Sequence, residues 1–151
     1  MKRRAYLATG ACSLGILSGC LGFGESEDYS VQVENTSLTV DERVCDESGA
    51  HGGSVSVTDG EISVSGTFKT NQQCPSLRLA TKVGVGPRIG GTLDIELYEL
   101  EDGEGECLSC EPILEYSVSV TTDEQPTQVN VQHFPLSNRV YEVAVWTAPE
   151  A

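Results

Sequence analysis

Positive charge is scarce in this chain of 151 residues: 9 Lys and Arg stand against 23 Asp and Glu, a formal net charge of −14. That deficit excludes nucleic acid as a partner, because nothing basic is available to offset phosphate repulsion. Long apolar runs are also missing. The nearest to one, Ala5 to Leu17, is broken by Thr9, Gly10, Ser13 and Gly15 and falls short of the roughly 20 residues that span a bilayer core. No window carries sustained apolar spacing of 3.6, which excludes a helical body. There is one CxxC and no second, so the sequence holds half of a zinc ribbon at most. Spacing alone supports no Ser/His/Asp set and no paired-carboxylate site. The chain is therefore read as a non-enzyme, and no cofactor is expected.

What is present begins at the amino end. Lys2, Arg3 and Arg4 precede the short apolar stretch, the layout of an export signal. Arg3-Arg4 followed by Tyr6-Leu7 resembles a twin-arginine signal. Leu17-Ser18-Gly19-Cys20 resembles a lipoprotein processing box. By that resemblance residues 1–19 are removed, together with Cys12, and the thiol of Cys20 carries a lipid. Residues 20–28 then form the lipidated end and an acidic tether with little to pack. Without the signal the balance is 6 basic to 23 acidic, a net of −17, with only Lys69 and Lys82 as lysines. Self-repulsion at that density destabilises a domain in dilute buffer. It is screened out in molar salt, where the Debye length is about 3 Å.

Residues 29–151 read almost wholly as short strands. Val55 and Val57 lead into Asp59-Gly60, a hairpin signal. Ile62, Val64, Gly66 and Phe68 then alternate with polar residues, the half-buried strand pattern. Leu77, Leu79, Val83 and Val85 share one side of the next run, and Gly84 to Gly91 reads as a turn. Leu93, Ile95 and Leu97 point inward, and a slip of phase near Tyr98 suggests a bulge. Tyr116, Val118 and Val120, then Val129, Val131 and His133, then Tyr141, Val143 and Val145 continue the period of two. Trp146 is expected as a partly buried anchor. The expected fold is all-β, an immunoglobulin-like antiparallel sandwich of about eight or nine strands.

If successive strands reverse direction, the loops holding Cys45, Cys74, Cys107 and Cys110 all lie at one pole, with His51 and His133 at the same end. Four cysteines in a small exported domain point to two disulfides. Three connectivities are possible; Cys45 with Cys74 and Cys107 with Cys110 is the preferred pairing. The alternative is a copper or zinc site built from Cys45, Cys74, Cys107, Cys110, His51 and His133. Redox exchange at the CxxC is disfavoured, because Glu104, Glu106 and Glu111 surround it and would raise the thiol pKa.

Of the remaining residues, His51 reads as a loop histidine and His133 as packing at the core rim. Asn35-Thr36-Ser37 has glycosylation-acceptor spacing. Asp41, Glu42, Asp46 and Glu47 lack the regular spacing of a calcium loop. The order Gly66-Thr67-Phe68, Cys74 with Leu77 and Leu79, Cys107-Leu108-Ser109-Cys110 with Tyr116, and Val129, Val131 and His133 resembles small lipoproteins of haloarchaea. The resemblance implies a membrane partner, reached through the lipid on Cys20, and an exterior location. The expected role is structural or protein-binding, with other surface proteins as the partners.

Overall fold

The computed structural model describes residues 31–84, 91–101 and 103–149. The expected signal, Cys20, the tether and most of the Gly84–Gly91 turn lie outside the described residues. Eight strands follow in order: β1 (Val33–Val44), β2 (Gly52–Thr58), β3 (Glu61–Lys69), β4 (Ser76–Gly84), β5 (Thr92–Leu100), β6 (Ile113–Thr122), β7 (Gln128–Phe134) and β8 (Tyr141–Thr147). They form two four-stranded sheets, β1-β6-β3-β2 and β4-β5-β7-β8. The architecture is the expected β-sandwich. Its strand order differs from the constant-type immunoglobulin order, in which the second strand pairs with the first and the fifth. Here β2 pairs with β3, and β5 lies in the opposite sheet between β4 and β7.

Local chemistry places most of these elements. Asp59 and Gly60 both have positive φ, 50° and 82°, the conformation that a two-residue hairpin of matching twist requires. Thr58 accordingly pairs with Glu61. Apolar residues at alternate positions of β3, β5, β6 and β7 meet between the sheets. Ile62, Phe68, Leu93, Ile95, Leu97, Leu114, Val129 and Val131 are fully buried there. Trp146 is half-buried against this cluster.

Three details depart from expectation. No bulge occurs near Tyr98, since β5 pairs in unbroken register with β4 from Thr92 to Leu100. The apparent slip arises because Glu99 occupies an inward position; it is buried, and its carboxylate accepts from Asn71 N at 2.8 Å, Asn71 Nδ2 at 3.1 Å and Leu136 N at 3.1 Å. A buried carboxylate with three donors is tolerated where an unpaired one is not. The irregularity falls in β8 instead: Val131 pairs with Ala144 and Gln132 with Glu142, which leaves Val143 extra. Beyond it the phase inverts, so Val145 points outward, 49% exposed, while Trp146 turns in. Val83, also expected inside, is 48% exposed near the end of edge strand β4.

Successive strands do alternate in direction. This leaves β5 and β7 parallel neighbours, because β6 between them in sequence belongs to the other sheet. The loops after β1, β3 and β5 and the end of β7 therefore share one pole.

Candidate functional site

The four cysteines meet at that pole as two disulfides, Cys45–Cys110 and Cys74–Cys107. The preferred pairing is thus overturned, and the sheets explain why. β1 and β6 are adjacent, with Val44 opposite Ile113, so the residue after β1 lies beside the segment that enters β6. β4 and β5 are likewise adjacent, with Ser76 opposite Leu100, so the residues before β4 face the segment that leaves β5. Each disulfide closes the open end of an antiparallel pair, one in each sheet. Because only Leu108 and Ser109 separate Cys107 from Cys110, this short segment ties the two sheets together. Leu108 N donates to Gln73 O at 2.9 Å and fixes it in place. All four sulfurs are spent on each other, so no thiolate remains for the metal set that included Cys45, Cys74, Cys107 and Cys110.

The two histidines are brought together as well, against the core. His133 stands at the inward end of the Val129, Val131 face and is wholly buried. His51 reaches it from the loop before β2 and is half-buried. Their Nδ1 atoms are 2.8 Å apart. The Tyr116 hydroxyl lies 2.6 Å from His133 Nε2. Room for its ring comes from Gly66 on the neighbouring strand: a Cβ there would sit 2.6 Å from the Tyr116 hydroxyl and 2.5 Å from Gly52 O. Phe68 packs on both imidazoles, with centroids at 4.8 and 4.7 Å. Tyr141 stacks on His51 at 4.3 Å.

Hydrogen-bond arithmetic assigns the protons. Lys69 N–H points at His51 Nδ1 at 3.4 Å, so that nitrogen is an acceptor and the proton between the imidazoles belongs to His133 Nδ1. A neutral His133 then accepts at Nε2 from the Tyr116 hydroxyl. The chain runs Tyr116 Oη–H to His133 Nε2, and His133 Nδ1–H to His51 Nδ1. Burial keeps both rings neutral. Desolvation pushes His133 down to about 3, assisted by His51. Desolvation pushes His51 down to about 4, opposed by Glu99 and assisted by Lys69. Burial likewise raises the Tyr116 hydroxyl well above its ordinary value. Such an arrangement holds two neutral nitrogen ligands face to face and positions one mobile proton between them.

Removing the terminal hydroxyl tests the chain. Tyr116→Phe leaves His133 Nε2 buried without its donor, and stability should fall by about 2 kcal/mol, read as a lower denaturation midpoint at unchanged slope.

The other singled-out residues lie apart from this cluster. Asn35 is exposed on edge strand β1 beside a bulge. Asp46 accepts from Ser48 N at 3.0 Å and Ser48 Oγ at 2.7 Å, which closes a local turn. Asp41 accepts from Ser117 Oγ, and Glu42 lies opposite Glu115 and raises its carboxyl pKa through a hydrogen bond. Among the described residues no group of three or more His, Cys, Asp or Glu is arranged to hold a metal ion. On the outer face of the first sheet, two rows of hydroxyls run across all four strands: Ser37, Ser119, Ser63, Ser56 and Thr39, Ser117, Ser65, Ser54. All eight are exposed.

Sequence reasoning missed Tyr116 and Glu99 as polar members of the core. Glu99 had a signal: it continues the inward phase of Leu93, Ile95 and Leu97. Tyr116 was legible as an inward residue beside Val118 and Val120, but its partner was not, because His133 lies 17 residues away on the opposite sheet. Comparison with protein-family profiles, curated proteins and solved structures gives no match, so the reading of this site rests on its own geometry.

Proposed function

We propose that this chain is an exported cell-surface protein, anchored in the membrane through a lipid on Cys20 and facing the exterior, with a non-enzymatic structural or protein-binding role. The observation that carries this reading is the pair of disulfides. They link segments 65 and 33 residues apart and are bonds that form and persist in an oxidising compartment. The acid-rich composition fits a surface solvated in high salt, as in the haloarchaeal lipoproteins that the sequence resembles. The hydroxyl rows offer a face of uncharged side chains within that acidic surface, bordered by Asp41, where a protein partner meets less charge repulsion than elsewhere. The linking ring nitrogens bond to Tyr116 and to each other against the core, which does not favour acid–base chemistry on a substrate.

The test is cellular fractionation of the full chain and its Cys20→Ser variant. The parent should sit in the membrane fraction with an amino-terminal mass that includes a lipid, and the variant should be released. A parent that stays in the cytoplasm with four reduced cysteines at positions 45, 74, 107 and 110 would refute the proposal.

A further inference from the structure

We infer that His51 and His133 form a binding site for a soft monovalent cation of the Cu(I) class, held in line between their two Nδ1 atoms. The inference stands apart from the location proposed above, since it concerns the folded domain wherever that resides.

The argument starts from the facing nitrogens, 2.8 Å apart. Metal–imidazole bonds are about 2 Å long, so an in-line cation needs the nitrogens about 4 Å apart. One ring must therefore withdraw by roughly 1 Å. His133 is the fixed jaw: it is wholly buried, and Tyr116 holds its far nitrogen. His51 is the movable one. It is half-buried and sits in the loop just before β2, outside the strand ladders.

Proton balance is simple. His51 Nδ1 already presents a lone pair. His133 must shift its proton from Nδ1 to Nε2, where the Tyr116 hydroxyl oxygen accepts it once the hydroxyl rotates. No proton is released and no charge other than the cation's enters the site. Phe68 packs against both imidazoles, T-shaped to His51 and tilted to His133, and shields the pair with apolar surface.

The donor set decides which cation fits. Zinc needs about four ligands, and the described residues bring no third His, Cys, Asp or Glu to the pair. The sulfurs are excluded by their disulfides. A closed-shell monovalent ion satisfied by two imidazoles is what remains, and imidazole is a suitable ligand for copper.

Ag(I) is the probe, because it takes the same two-ligand geometry and cannot change oxidation state here. Silver nitrate is titrated in chloride-free buffer into the full chain carrying C12S and C20S, so that no free thiol competes. The expected result is one Ag(I) per chain, with large ¹⁵N shifts at Nδ1 of both histidines and a proton at Nε2 of His133. In His51→Gln, affinity should fall at least 100-fold while the disulfide map stays intact. The ¹⁵N readout on the parent stands even if the variant misfolds. Absence of stoichiometric binding, shifts at only one histidine, or unchanged affinity in His51→Gln would each overturn the site.

Discussion

Replacing Cys45 and Cys110 together by alanine should cost about 4 kcal/mol, and replacing Cys74 and Cys107 should cost nearly as much. The bonds close loops of 65 and 33 residues, and chain-entropy estimates give about 4 kcal/mol for each. For a domain of this size, that is a fall in melting temperature on the order of 15 °C per pair. The connectivity preferred from sequence predicts something different: a Cys107–Cys110 bond would close a turn with only Leu108 and Ser109 inside it and would contribute little. Removal of both bonds should cost more than the two single losses added, because the loops are nested and either bond shortens the loop that the other closes. Thermal unfolding of the two double variants and the quadruple one measures all three quantities. A loss below about 1 kcal/mol for either pair would contradict the account.

Acid should destabilise the domain from about pH 6.5 downward. His133 is held down to about 3 and His51 to about 4, whereas both titrate near 6.5 when unfolded. Between these limits the unfolded chain binds protons that the folded chain refuses, so stability falls as pH falls. The contribution is complete above about pH 7, and His133 alone should forfeit about 2 kcal/mol by pH 5. Burial is the main cause. The charged neighbours act in opposite directions on His51, Glu99 favouring its protonation and Lys69 opposing it; His51 itself opposes protonation of His133. Denaturant unfolding at pH 7, 6 and 5, at one fixed salt concentration, reads the slope directly. Stability that is flat or rising from pH 7 to 5 would show that the imidazoles are not buried as described.

These two predictions draw on different depths of the sequence. The period of two from Ile62 to Phe68, the Asp59-Gly60 turn and the reversal of successive strands were all legible, and together they placed the four cysteines and both histidines at one pole. Local pattern could do this because each of these signals lies within a few residues. Connectivity was not legible. It depends on which strands are neighbours: β1 lies beside β6, with most of the domain between them in sequence. The same limit hid the histidine pair. His51 looked like a loop residue because Tyr141, Phe68 and His133, which bury it, come from three other strands. Tyr98 misled in a different way: Glu99 interrupted an apolar alternation that the backbone itself continued.

The most direct test is a cystine map of the unreduced protein, obtained by proteolysis and mass spectrometry without reductant. The account predicts two cross-linked peptides, one joining Cys45 to Cys110 and one joining Cys74 to Cys107, with no free thiol among the four. Free thiols at these positions, or a peptide joining Cys45 to Cys74, would contradict it.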